Sequence, residues 1–386
     1  MNLKLSRRDI QFFGNVCFHH GLLGFMPCFL FRDGSIVEVP KMRYFSNFAI
    51  AIFLATQIFS IYPIYKYNFP HFVGSQMLVS FAFILTNIIF YVLCFTNSTI
   101  NQRRRWKRIM HLFLKTDVIL GNRNEMDWNI FKNPNLQFIV WHIIFIFTIF
   151  LRISNYRNMN LQLVISHIMN FMGFYYQCFF SIFTSNLCLA IKCRFSDGRA
   201  LLTREYQQIH CSDDSKYRIK KIVKNVKGVF EATDELIRIL SDVLGWQILV
   251  IFFRSVVAIL GFVDGLVTNT LKSSNRSTMI SVCMLIGKAV FNFSIIIYSC
   301  HSATREAEKL YYSSKNLEKK FHPHSCEARE LKFLSMQLEY RSVFSAAGFI
   351  NIDSKTLLSI ISIVSTYLIV IIQLNNGVLQ SPIQGT

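Results

Sequence analysis

The stretch TLLSIISIVSTYLIVIIQLNNG, from Thr356 to Gly377, decides the fold. It has the length of about 20 residues that a helix needs to cross the hydrocarbon core of a bilayer, and it carries no charge. Its polar residues are nevertheless ordered. Ser359, Ser362, Thr366, Gln373 and Asn376, with Ile369 filling the register, recur three and four apart, so at about 100° per residue they share one face of a helix. A polar stripe inside lipid is costly unless it meets protein or water. It reads as the lining of an aqueous path where copies of the chain meet. The competing reading is glue between buried helices, since Ser, Thr and Gln also bond across helix contacts.

Working outward, the whole chain has the same character. Of 386 residues, 52% are hydrophobic and only 16% charged, and the mean hydropathy is +0.35; this composition excludes an ordinary soluble domain. Apolar windows of spanning length lie at Tyr44–Tyr65, Phe72–Phe95, Leu136–Tyr156, Leu161–Ile191, Val243–Thr268, Met279–Cys300 and Thr356–Asn376, which predicts seven spans. No strand-like alternation stands out, and no internal repeat suggests a two-half transporter.

Basic residues fix the expected orientation, because Lys and Arg beside spans stay in the cytoplasm. The segments before Tyr44, from Thr96 to Asn135, from Lys192 to Asp242 and from His301 to Ile350 hold 33 of the 41 Lys and Arg, so the N-terminus is expected inside and the carboxyl tail outside. Asn275, in the sequon Asn275-Arg-Ser277, then falls in an outer loop and is the glycosylation candidate. The net charge of +19 is explained by this topology and by anionic lipid headgroups, with no call for nucleic acid. The ten Cys lie mostly in or under the membrane and imply no disulfide framework.

The N-terminal run Ile10–Phe31 imitates a signal peptide but has no small-residue cleavage site, so it is expected to pack at the interface or on the cytoplasmic side. Lys192–Gln208 continues the fourth span as helix. After a polar turn at Cys211–Ser215, Ile219, Ile222, Val223, Val226, Val229 and Phe230 keep helical register. His301–Lys320 is helix-prone, Pro323 breaks it, and Cys326–Ala347 is expected as one more amphipathic helix with Leu331, Leu334, Leu338 and Phe344 inward. The fold expectation is therefore all-α: an N-terminal cytoplasmic segment (1–43), six spans with helical extensions (44–300), anchor helices beneath the membrane (301–353), a seventh helix lining a pore (354–377) and an outer tail (378–386).

Near the carboxyl end, Gly348-Phe-Ile-Asn-Ile-Asp353, then Leu357-Leu358, and above all Thr366-Tyr367 followed by five apolar residues and Gln373, resemble the insect gustatory receptor family. Leu22-Leu-Gly-Phe-Met-Pro27 is a weaker echo of that family's N-terminal segment. One departure is Leu374, where the family usually has Phe. The resemblance implies a homo- or heterotetrameric ligand-gated cation channel in the plasma membrane of a sensory neuron dendrite, opened by a small-molecule tastant, with bitter compounds as one candidate class. It would pass monovalent and divalent cations, sit among membrane lipids and need no cofactor. By motif position Gln373 would lie at the outer constriction with Ile369, Val370 and Leu374 beside it, and Tyr367 would pack behind.

Candidate ligand contacts come from polar residues in the outer halves of the spans: Gln76, Ser80, Tyr156, His167, Asn170 and Tyr175 among many aromatics. Arg254, Asp264 and Lys288 are charges set inside spans, and such groups mark functional sites by default. A Lys288 side chain reaching toward Asp264 serves equally well as a ligand-binding pair or as a structural bridge between helices five and six. His322-Pro-His324-Ser-Cys326 and His19-His20 lack a complete metal-ligand spacing. No phosphate loop, paired carboxylates or nucleophile motif argues for catalysis. The rivals are an odorant-type subunit needing a co-receptor, a G-protein-coupled receptor, whose N-terminus would lie outside, and a secondary transporter coupled through Asp264 and Lys288.

Overall fold

The computed structural model describes, apart from isolated positions, residues 21–63, 74–120, 139–150, 161–209, 215–270 and 276–380. The helices are α1 (Pro40–Pro63), α2 (Gly74–Ser98), α3 (Ile100–Leu120), α4 (Leu161–Ile209), α5 (Ser215–Thr270), α6 (Arg276–Glu318), α7 (Cys326–Glu339) and α8 (Ser354–Gln380), and residues 139–150 add helical turns between α3 and α4. None of α4, α5 and α6 contains a proline, so nothing interrupts the register where the apolar half of each gives way to a charged half. At 1.5 Å per residue the 49 residues of α4 reach about 70 Å, more than twice a bilayer core of about 30 Å. One end of each helix must therefore project beyond the lipid. Among the described residues α4, α5 and α6 are long and apolar enough to cross a membrane, with Tyr44–Phe59 and Ser354–Val370 as shorter apolar helices, while α2 and α3 form a pair bent by 69°.

Helix α5 is the axis of the bundle, touching α2, α3, α4, α6, α7 and α8, while α4 packs along the length of α6. One apolar core runs from Phe25 through Phe183, Leu236 and Leu310 to Ile360. In the charged half Ile219, Ile222, Val223, Val226, Val229 and Phe230 are all buried, as their spacing requires. Polar side chains tie this half together. Arg194 on α4 donates from Nη2 to Asp117 Oδ1 at 2.7 Å and from Nε to Thr116 Oγ1 at 3.1 Å, with its guanidinium over the Phe113 ring. Asn97 Nδ2 donates to the Val243 carbonyl at 2.8 Å, and Gln247 Nε2 to that of Leu93 at 3.0 Å. Such charge-assisted and fully buried bonds fix helix register where apolar packing alone tolerates sliding.

Three expectations change. Two small antiparallel hairpins interrupt the all-helical pattern: β1 (Phe29–Arg32) with β2 (Ser35–Glu38), and β3 (Ser345–Ala346) with β4 (Ile350–Asn351). The first joins its paired ends, Arg32 and Ser35, through the dipeptide Asp33-Gly34, a hairpin signal in the sequence itself. The amphipathic segment after Pro323 starts as expected, with Ser325 capping the Ala328 amide, but the helix stops at Glu339. Leu331, Leu334, Leu338 and Phe344 are all buried, yet Phe344 gets there on extended backbone, because the left-handed conformations of Ala347 (φ 53°) and Gly348 (φ 76°) turn the chain into the second hairpin.

The third concerns the N-terminal segment, expected to pack at the interface or on the cytoplasmic side, which contributes to the core of the bundle. Phe25 and Met26 are fully buried. Phe25 meets Tyr176 at 4.6 Å, Phe180 at 5.4 Å and Phe183 at 6.1 Å between ring centroids, and Tyr176 donates its hydroxyl to the Leu23 carbonyl. An aromatic plug of this kind contributes several kcal/mol through area and ring geometry. Phe25→Ala is expected to cost about 3 kcal/mol, read as a lowered melting temperature of the purified protein in detergent; an unshifted melt would mean that the plug is dispensable.

Candidate functional site

Helix α8 is fastened at its first turn and nearly bare beyond it. Asp353 caps the helix, its Oδ1 accepting the Thr356 amide at 2.9 Å, and Thr356 Oγ1 donates to the Asn351 carbonyl. The Thr356 amide thereby holds the Asp353 carboxyl below its usual range. Thr356 and Ile360 are buried, Val364 and Leu368 half-buried, and the four are spaced four apart. Among the described residues of α8 they form, with the half-buried Leu357 beside them, the stripe packed on its own chain, against α5 and α6. Ser359, Ser362, Thr366, Ile369, Val370 and Gln373 are exposed. At about 100° per residue the hydroxyl and amide stripe lies diametrically opposite the packed one. Two of its hydroxyls bond back to their own helix, Ser359 to the Lys355 carbonyl at 3.0 Å and Thr366 to that of Ser362 at 2.9 Å, which lowers the cost of leaving them without a partner. Tyr367 is 55% exposed, although seven residues beyond Ile360 it falls on the same side of the helix as the packed stripe. The side chains of Leu374 and Asn376 lie outside the described residues.

The hairpin leading into α8 is clamped to α5. Asp234 accepts from the Ser342 amide at 2.5 Å and the Ser342 hydroxyl at 3.0 Å, and Ser241 Oγ accepts from the Ser345 amide at 3.2 Å. Gly245 lets the Ala347 backbone approach so closely that a Cβ there would meet Ala347 N at 2.5 Å. Phe349, beside the left-handed Gly348, stacks edge-on with Trp246 at 5.8 Å. A short, hydrogen-bonded joint therefore links α5 to α8.

A second polar constellation lies inside the apolar half of the bundle. Gln57 on α1 accepts from Asn87 Nδ2 on α2 at 3.1 Å, and Gln177 Nε2 on α4 reaches Asn87 Oδ1 at 3.4 Å. Gly173 leaves room for this set, since a Cβ there would stand 3.4 Å from both Asn87 Oδ1 and Tyr91 Oη. Nearby, Arg254 on α5 is 1% exposed and rests on the rings of Phe83 and Phe174. From α6, Lys288 lies within electrostatic reach of the Cys178 thiol and Asn292 hydrogen-bonds it.

Of the residues singled out in sequence, Lys288 and Arg254 are thus brought together around Cys178. Tyr175 is not part of this group: it turns to the 139–150 turns, sharing a 2.7 Å hydrogen bond with His142 Nε2 and stacking on Phe145 at 4.0 Å. Tyr156 and Asn275 lie outside the described residues, as do the side chains of Gln76, Ser80, His167, Asn170 and Asp264. Sequence reading missed Gln57, Asn87, Gln177, Asn292 and His142. The signal was available, for each is an isolated amide or imidazole in the middle of an apolar helix, where it must find a partner.

A bundle of long apolar helices with buried polar groups inside it and an outward polar stripe on its last helix defines a polytopic membrane receptor. The family model for the seven-transmembrane chemosensory receptors (7tm Chemosensory receptor) matches residues 16–375, and the chain belongs to that family. In fold it is similar to the insect olfactory receptor OR5 of Machilis hrabei in complex with eugenol, with a TM-score of 0.62 at 12% identity over 95% of this chain and 98% of that one. OR5 without the ligand superposes with a TM-score of 0.61 at 11% identity over the same shares. No curated protein matches the chain in sequence. These comparisons agree with the seven-span, all-α expectation.

Two substitutions test the joint. Asp353→Ala removes a cap of about 1 kcal/mol at neutral pH. Because the folded carboxyl titrates below its unfolded value of about 4, the contribution is present above that pH and is lost as the pH falls through the lower folded value. The melting-temperature gap to the wild type should therefore close in acid; a gap that persists there would deny Asp353 the cap. Gly245→Ala forces the Ala347 backbone aside and is expected to cost on the order of 1–3 kcal/mol in the same melt, whereas a neutral outcome would show that the clamp yields freely.

Proposed function

We propose that this chain is a gustatory-type receptor that is itself a ligand-gated, weakly selective cation channel, assembled as a tetramer with α8 of each subunit lining a central pore. The observation that carries this reading is the placement of the α8 stripes, with the packed one against α5 and α6 and the hydroxyl and amide one diametrically opposite. A helix with spanning length and one such unoccupied polar face is best satisfied by water in a shared path. In this assembly Gln373 forms a ring of neutral amides at the outer constriction, flanked by Ile369, Val370 and Leu374. Carbonyl dipoles without fixed charge suit monovalent cations with little discrimination.

The N-terminus lies in the cytoplasm, together with the charged halves of α4, α5 and α6 and with α7, which form an anchor under the membrane. A small molecule bound among the inner helices shifts α5, and the clamp from Asp234, Ser241 and Gly245 to the hairpin carries the shift through Gly348 and Asp353 into α8. The ligand opens the pore only by as much as it prefers the open arrangement. No described cluster of His, Cys, Asp or Glu could hold a metal ion. A second reading, an odorant-type subunit that conducts only with a co-receptor, is favoured by the likeness to olfactory receptor structures.

The test is electrophysiology of the chain expressed alone, with Gln373→Glu beside the wild type. Unitary tastant-evoked currents without a partner are expected, and a ring of carboxylates at position 373 should raise the permeability of divalent relative to monovalent cations several-fold. Unchanged permeability and block would remove Gln373 from the conduction path, and currents that appear only on co-expression would favour the odorant-type reading.

A further inference from the structure

The inner polar constellation holds a positive charge, Arg254, to which no described residue brings a counter-charge. Arg254 is 1% exposed, and its Nε and Nη2 are buried without a hydrogen-bond acceptor. These two nitrogens form one edge of the planar fork, so their N–H groups point in the same direction. The guanidinium carbon stands 4.4 Å from the Phe83 centroid and 4.1 Å from that of Phe174. The rings are only 5.1 Å apart, too close for the guanidinium to lie between them. Both rings thus hold the cation from one side and leave the Nε–Nη2 edge unbonded.

The surroundings sharpen the demand. Tyr91 on α2 lies within electrostatic reach of Arg254 and has a buried hydroxyl that bonds nothing. Lys288 on α6, 8% exposed, adds a second positive charge across Cys178. Among the described residues no carboxylate pairs with Arg254. A cation buried in this way carries a large desolvation cost, of which stacking on aromatic faces returns only a part. The remainder selects the chemistry of whatever binds. A carboxylate takes two parallel, charge-assisted N–H···O bonds from such an edge. A neutral carbonyl or hydroxyl takes one weaker bond and leaves the charge uncompensated.

We propose that the receptor's ligand site is built for a small organic carboxylate, whose two oxygens accept from Arg254 Nε and Nη2 while its apolar body lodges among Phe83, Phe174 and their aromatic neighbours. The proposal rests on the reading of the chain as a small-molecule receptor and names the class of molecule it takes. Tyr91 completes the set by donating its free hydroxyl to the same carboxylate or to a second oxygen on the ligand. Binding neutralises a charge that otherwise weakens the contact of α5 with α2 and α4, which gives an anionic ligand a direct grip on the central helix.

The experiment uses the purified full-length receptor in lipid nanodiscs, with benzoate and hexanoate as probes and benzamide and hexanamide as their uncharged counterparts. Thermal stabilisation by the carboxylates, at concentrations at least tenfold lower than any effect of the amides, is expected for the wild type. Arg254→Gln should abolish that preference and Arg254→Lys should keep part of it; the wild-type comparison stands even if Arg254→Gln fails to fold. Equal effects of acid and amide, no effect of either carboxylate, or a carboxylate preference surviving in Arg254→Gln would overturn the proposal. Currents recorded after reconstitution of the same protein into planar lipid bilayers separate it from the channel reading. Carboxylate binding without current would leave this site intact and remove the channel, while current evoked by neutral tastants that the carboxylates fail to displace would remove this site and leave the channel.

Discussion

Helix α8 can bury only one stripe against its own chain, and the rest of the architecture follows from that limit. The stripe of Thr356, Ile360, Val364 and Leu368 is enough to seat the helix on α5 and α6 but leaves most of its circumference bare. A helix held so lightly is free to tilt. What keeps it in place is its first turn, where the Asp353 cap and the Thr356 hydroxyl tie it to the hairpin, and where Asp234, Ser241 and the bare Cα of Gly245 tie the hairpin to α5. In the channel we propose, this anchored first turn is the joint on which the rest of α8 would move as the gate.

The bundle deals with its polar groups in two ways. In the charged half arginines meet carboxylates: Arg194 has Asp117, with Thr116 and the Ala190 carbonyl beside it, and Arg341 Nη2 has Glu308. These contacts act as rivets between helices that continue past the membrane. In the apolar half the same residue type is left incomplete. Arg254 has two aromatic rings but, among the described residues, no acceptor for Nε and Nη2, although partners within a low-dielectric interior are worth most there. The contrast between two arginines in one molecule, both buried, separates structural use from what we assign to ligand recognition.

Much of the plan was legible in the sequence. Spans, helical extensions and the inward positions of the segment from Ile219 to Phe230 follow from apolar periodicity, because burial on one face of a helix demands a repeat of 3.6. The last helix was legible for the same reason, down to the residues of its polar stripe. The end of α7 was not, since Glu339 to Ala347 keeps a helix-compatible composition, while in the fold Ser342 and Ser345 bond to Asp234 and Ser241 of α5. Nor was the burial of Phe25, because the N-terminal segment has no repeat that distinguishes a plug from a surface strap.

The sequence by itself determined that this is a multi-span helical membrane protein of the chemosensory receptor type, with a polar face on its final helix, because local periodicity and charge placement are written one residue at a time. Only the tertiary structure decided what those features meet. It set the polar stripe opposite the packed one, brought Arg254 against Phe83 and Phe174 from three different helices, and turned Tyr175 away from them toward His142. The physical reason is that such meetings depend on how long helices cross and rotate against one another. That is settled by the packing of the whole core, and no single segment encodes it.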